Sequence, residues 1–290
     1  MTTALSRSIE KETTFYTNKY STLPKDNLHF AELQLFKIFE DELHSSNSIL
    51  LDYRPQAIYK LAKFITGEIS RSASVGIAGE TASGKSTITL DIIDTIEAFS
   101  NALNLGSVIT RVNTDDYYYD RSKEVKLAGG MAEFAKHYDF DVPEALELDL
   151  MCKHIQKLLS GIPVMLPKYD MSGTTIRWDN YTLAKPSKII ISEGLFTLTE
   201  KIRDAFDFKI YVDIDNEIQK ERFFIRAKER NLGASADNIY RNASEKAKYY
   251  IRPCRFHADI VLSGEAERLG YKLFLNKILA LVEELHFQTR

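Results

Sequence analysis

Cysteine is scarce in this sequence, with only Cys152 and Cys254 among 290 residues, far apart and in neither CxxC nor Cys/His spacing. That excludes a disulfide framework and the usual zinc-ligand patterns, and the two thiols are expected to be buried in a reducing compartment. Long apolar runs are missing as well: none approaches the ~18 residues of a membrane span. Met1 to Tyr20 has no apolar core behind a basic start of the kind a secretory signal carries. A cytoplasmic protein without membrane association is therefore expected. Nor is there an excess of positive charge, since 38 Lys and Arg stand against 41 Asp and Glu for a net charge of -3. This balance argues against nucleic acid as a partner. What is present is 44% apolar and 11% aromatic composition, ample for a substantial core in one large domain or two small ones.

The most informative stretch runs from Ser74 to Leu90. Val75 to Ala78 suits a short buried strand, and Gly79-Glu80-Thr81-Ala82-Ser83-Gly84-Lys85-Ser86 matches G-x-x-x-x-G-K-[ST]. A helical pattern follows to Phe99. Gly79 and Gly84 free the backbone to turn N–H groups toward phosphate oxygens, and the following helix adds its positive N-terminal end. The loop from Gly79 to Thr87 is thus expected to bind a nucleotide, with Lys85 reaching the β- and γ-phosphates and Ser86 ligating Mg²⁺.

Around this loop the chain alternates strand and helix. Residues 1 to about 27, ending in Leu23-Pro24-Lys25-Asp26-Asn27, read as a loosely ordered arm. Two amphipathic helices follow. The first, from Leu28 to Leu43, sets Leu28, Leu35, Phe36, Phe39 and Leu43 opposite the acids Glu32, Glu40 and Asp41. The second runs from Pro55 to Ile69. They would cover a face of the main domain or form a subunit contact, which leaves a homo-oligomer open, rather than make a separate regulatory module. Strands are expected at 107–113, 163–168, 187–192, 208–213 and 259–262, and helices at 85–103, 143–159, 215–231, 236–251 and 265–286. Such alternation implies a mostly parallel sheet with helices on both faces and ligands beyond the carboxyl ends of the strands. The division expected is an extension over 1–71 and a main domain over 72–290.

The strand ends carry the chemistry. Thr114-Asp115-Asp116-Tyr117-Tyr118 follows one strand, and a carboxylate there, Asp115, could orient an acceptor hydroxyl and take its proton, unless the aspartates merely cap a turn. Lys188 to Ser192 ends in Glu193-Gly194, a place from which an acid holds Mg²⁺. Arg222, Arg226 and Arg230 fall on one helical face ahead of Asn231-Leu232-Gly233. They could close over a triphosphate as a lid spanning about 222–235, or lie in solvent beside Glu217, Glu221 and Glu229.

With these residues in view, the chain resembles the uridine kinase and phosphoribulokinase group of P-loop kinases over roughly residues 72–264. The resemblance implies an α/β P-loop NTPase fold with a five-stranded sheet. It also implies an ATP- and Mg²⁺-dependent transfer to a hydroxyl of a small molecule, with the 5′-hydroxyl of uridine or cytidine favoured. Thr114-Asp115-Asp116-Tyr117-Tyr118 looks like D-x-F-Y, which passes the base role to Asp115 and puts Tyr118 beside the acceptor, with Asp115 also near the metal. Phe140-Asp141-Val142-Pro143-Glu144-Ala145 is similar to N-F-D-H-P-x-A and passes the binding of ribose hydroxyls to Asp141. Pro167-Lys168-Tyr169-Asp170 resembles P-x-Y-D, with Tyr169 lining the acceptor pocket. Glu193-Gly194-Leu195 resembles the segment that supplies the metal acid, Arg222 and Arg226 fit two lid arginines, Arg222 also facing the substrate, and Ala258-Asp259-Ile260-Val261 resembles A-D-x-I. Two departures stand out: Met171 to Arg177 lacks the base-contacting His, and Phe223 and Ala227 replace an Arg and an Asp of the lid. Pantothenate, glycerate, a sugar or a sugar phosphate therefore stays open as acceptor, as does a nucleotide-binding switch acting through protein partners.

Overall fold

The computed structural model describes residues 27–170 and 174–287. The expected arm lies outside them, apart from Asn27. In chain order the elements are α1 (Asn27–Leu43), β1 (Leu50–Tyr53), α2 (Pro55–Ile65), β2 (Ala73–Gly79), α3 (Lys85–Ala102), β3 (Ile109–Asn113) and a 3₁₀ turn (Thr114–Tyr117). Short helices α4 (Ser122–Leu127) and α5 (Met131–Phe134) precede α6 (Leu148–Leu159), β4 (Val164–Tyr169), β5 (Arg177–Ala184) and β6 (Ile189–Glu193). The chain continues through β7 (Phe208–Asp213), α7 (Asn216–Glu229), α8 (Ala236–Tyr250), β8 (Ile260–Ser263) and α9 (Arg268–Phe287).

The main sheet has six strands in the order β1-β8-β7-β2-β6-β3, not the five expected. It is parallel except at β1, which pairs antiparallel with β8 through Leu50↔Leu262 and Tyr53↔Ile260. The segment ahead of the phosphate loop therefore contributes an edge strand to the sheet itself. The expected strand at 163–168 forms, as β4, but outside this sheet: it pairs with β5 in a separate antiparallel hairpin.

Successive strand residues point to opposite faces, and each face is apolar. Ala78, Val112, Ile190, Tyr211 and Val261 pack with α6 and the buried side of α8. Their neighbours Ile77, Ile191, Val212 and Leu262 pack with α1, α2, α3 and α9. Phe39 of α1 is fully buried there, edge-on to Tyr53 at 5.2 Å and to Phe274 at 5.1 Å. The expected solvent face of α1 needs one correction. Glu32 is buried, within 3.3 Å of His29, and Glu40 accepts a hydrogen bond from Tyr53, because β1 folds back along that side. Of the two cysteines, Cys254 is buried as expected and Cys152 only half-buried.

Register sets the position of the site. Asn113, the last residue of β3, lies opposite Glu193 at the end of β6, and Ile77 of β2 is level with both, two residues before Gly79 opens the phosphate loop. This is where ligands of open parallel sheets bind. Because Phe39 joins the N-terminal helices to the sheet, Phe39→Ala should cost the whole fold about 3–5 kcal/mol. A single urea transition at lower midpoint is expected, whereas an early transition confined to the N-terminal helices would show them to be a separate unit.

Candidate active site

The phosphate loop is held open by its backbone. Ala82 and Gly84 have φ of +59° and +90°, left-handed conformations that turn neighbouring amides inward. Gly84 takes this shape without a steric penalty, while Ala82 pays about 1–2 kcal/mol for it. Helix α3 starts at Lys85, so its positive end faces the same concavity. Lys85 lies among charges: burial pushes its pKa down, while Asp115 and Glu193 hold it up and Arg226 adds to the fall.

Glu193 is buried at the end of β6, and its two oxygens serve two partners. Ser86 Oγ donates to one at 3.1 Å, and Arg111 Nη2 of β3 donates to the other at 2.9 Å. A side chain at Gly194 would meet Thr114 Cβ at 2.5 Å, so glycine is what lets the ends of β6 and β3 approach. Among the described residues no cluster of three or more His, Cys, Asp or Glu side chains could cage a metal. The facing Ser86 and Glu193 oxygens instead suit Mg²⁺, which binds through one or two protein oxygens together with substrate phosphates and water.

On the acceptor side, the Asp115 amide donates weakly to Asn113 Oδ1 at 3.4 Å, which caps the 3₁₀ turn. Its carboxyl is half-buried; burial raises its pKa, Lys85 counters, and Glu193 and Asp116 add to the rise. Asp116 has a different task, accepting the backbone N–H of Tyr169 at 3.1 Å and so pinning β4 to the strand end. Tyr118 packs 5.3 Å from Tyr169 and 6.3 Å from Phe140, and its hydroxyl donates to the Phe140 carbonyl at 3.2 Å. Tyr118 therefore sits in an aromatic cluster with its hydroxyl already engaged. Burial pushes the Tyr169 phenol up to about 12. Burial raises the Tyr118 phenol as well, and the Asp115 and Asp141 carboxyls add to the rise.

The lid arginines are divided. Arg222 Nη1 donates to the Gly264 carbonyl at 2.7 Å, and Arg226 is exposed. Both line a cavity of about 360 Å³ with Ala82, Gly84 and Thr87. Arg230 is exposed at the end of α7, outside that cavity lining. Phe223 and Ala227, the two departures from the family's pattern, are buried in an apolar cluster with Ala82, so α7 sits on the loop through apolar contact.

Three residues of the site escaped sequence reasoning. Arg111 is one. Arg252 is another, gripping Glu80 with contacts of 2.7 and 3.3 Å and neutralising an acid that would otherwise repel phosphate. Gln219 is the third, donating to the Thr81 carbonyl at 2.8 Å. Their partners lie 82, 172 and 138 residues away, beyond any local pattern.

Residues 74–268 match the Phosphoribulokinase / Uridine kinase family. The chain belongs to that family. Its members are P-loop kinases that pass a phosphoryl group to a hydroxyl, and this chain is an enzyme of that class. It is 32% identical over 222 residues to a uridine kinase of Staphylococcus haemolyticus, covering 74% of this chain and 100% of the relative. With a uridine kinase of Halobacterium salinarum it shares 29% over 218 residues, 74% of this chain and 90% of the relative. In fold it is similar to the P-loop-containing protein YFH7 from Saccharomyces cerevisiae, with a TM-score of 0.52 and 14% identity over 79% of this chain and 98% of that one. No helix among the described residues is long and apolar enough to cross a membrane.

The separate tasks of the paired aspartates can be tested. Asp116→Asn keeps an oxygen for the Tyr169 amide and should leave kcat within about threefold of wild type. A collapse of activity in that variant would give Asp116 a chemical role.

Proposed function

We propose that this kinase uses Mg-ATP to phosphorylate the 5′-hydroxyl of a pyrimidine nucleoside, uridine or cytidine. The observation that carries the reading is Asp115, a half-buried carboxyl within electrostatic reach of Lys85 and Glu193 on the donor side and of Tyr118 on the acceptor side. A carboxylate just past the end of β3, itself level with Glu193, supports a base between donor and acceptor. The similarity to uridine kinases over most of their own length supports the nucleoside as acceptor.

In this reading the loop amides and Lys85 hold the triphosphate, and Ser86 and Glu193 hold Mg²⁺. The bound ion would neutralise charge on the phosphate oxygens. Asp115 orients the acceptor hydroxyl and takes its proton as the new O–P bond forms and the bond from the γ-phosphorus to the bridging oxygen breaks, releasing ADP. Asp141 receives the ribose hydroxyls, and Tyr169 and Tyr118 flank the nucleoside. Arg222 and Arg226 stand beside the loop, where guanidinium charge stabilises the transferring group.

A base must be deprotonated to act. Burial raises Asp115, so kcat/KM should fall with decreasing pH at values above the ordinary aspartate range near ~3.9. Asp115→Asn should lose on the order of 10²–10⁴-fold in kcat while still binding ATP. Full transfer by that variant would remove Asp115 from the base role.

One observation favours a second reading, an acidic acceptor such as glycerate, pantothenate or a sugar phosphate. Arg177 is the cross-strand partner of Tyr169 and is paired with Glu147, yet its buried Nε and Nη2 have no hydrogen-bond partner among the described residues. Cross-strand partners share a face of a hairpin, so these donors flank the proposed pocket. An ATP-consumption screen over uridine, cytidine and these acids separates the two readings. Turnover with a nucleoside is expected, and turnover with an acid alone would select the second.

A further inference from the structure

We propose that Asn242, on α8, is a positioning residue for the acceptor: its side-chain amide holds the Asp141 carboxylate in the orientation that meets the acceptor's paired hydroxyls. This rests on the nucleoside reading above and adds to it a residue from a different part of the chain. Asn242 Nδ2 lies 3.0 Å from Asp141 Oδ2 and 3.3 Å from Asp139 Oδ1, so one amide bridges two acids two residues apart. The nitrogen must face them, since the amide oxygen would be repelled by both. One turn later on the same face, Lys246 Nζ sits 2.9 Å from Asp139 Oδ2. Asp139 Oδ1 also accepts the Asp141 backbone N–H at 2.9 Å.

The arrangement answers a physical need. Two neighbouring carboxyls on one short segment repel each other, and burial pushes Asp141 toward its neutral form, with Asp139 adding to the rise. Asn242 and Lys246 oppose this. Geometry supplies the role: Asn242 gives Asp141 Oδ2 a fixed donor, and a carboxylate, which only accepts, takes hydrogen bonds from hydroxyls. The helix that carries Asn242 is itself tied to the donor loop. Tyr240 donates to Gln219 Oε1 at 3.1 Å, and Gln219 reaches the Thr81 carbonyl. Just past the same helix, Arg252 grips Glu80. Asn242 is thus held at a fixed distance from the nucleotide loop, and with it the carboxylate it orients.

The test is steady-state kinetics on the full chain with uridine and Mg-ATP, for wild type, Asn242→Ala, Asn242→Asp and Asp141→Asn. Asn242→Ala should raise KM for uridine about tenfold, the loss of one hydrogen bond to a charged group, with KM for ATP and the melting temperature essentially unchanged. Asn242→Asp is isosteric but replaces the donor with a third negative charge, so its KM for uridine should rise further still. Equal effects of the two variants on uridine and ATP, tracking a fall in melting temperature, would mean that Asn242 only docks the helix. If Asp141→Asn raises KM for uridine and Asn242→Ala does not, the inference is overturned alone. If the wild type phosphorylates no uridine, the nucleoside reading falls and takes the inference with it.

Discussion

The site depends on one shared carboxylate. Glu193 offers one oxygen to Ser86 of the phosphate loop and the other to Arg111 of β3. Three chain segments that are remote in sequence therefore meet at a single buried acid. The parallel register brings them level, and Gly194 removes the side chain that would keep Thr114 and the end of β3 away. A buried charge of this kind is tolerated only when paired, and here the pairing ties the phosphate loop to the end of β3 just ahead of Asp115.

A second set of contacts frames the first. Helix α7 lies on Ala82 through Phe223 and Ala227, and the chain beyond it returns to the loop to place Arg252 on Glu80. The apolar seat explains why two positions that carry charge in the family's lid pattern do not carry it here. The guanidiniums that remain are Arg222, braced on the Gly264 carbonyl, and Arg226, exposed beside the loop cavity. On the other side Tyr118, Tyr169 and Phe140 pack together and Asp116 ties β4 to the end of β3, so segments outside any single strand of the main sheet meet there.

Legibility in the sequence followed locality. The phosphate loop was readable because one contiguous octet supplies backbone, cation and hydroxyl, and Asp115 and Glu193 because each ends an apolar β-branched run. The edge strand β1 was not, since four residues ahead of a proline show no periodicity and their partner lies more than 200 residues on. Strand β4 was found but assigned to the wrong sheet, because alternating burial along Val164, Met165 and Leu166 suits a hairpin as well as a sheet interior. Arg111, Arg252 and Asn242 carried no signal of their own. Each is a polar residue within or just past a regular element, and only its distant acid gives it a role.

The most direct test of the whole account is a crystal structure of the enzyme with uridine, Mg²⁺ and a non-hydrolysable ATP analogue. The metal should lie between Ser86 Oγ and Glu193, and the 5′-hydroxyl should sit about 3 Å from an Asp115 oxygen, in line with the γ-phosphate and with the ribose diol on Asp141. A uridine hydroxyl turned away from Asp115, or a metal held without Glu193, would contradict it.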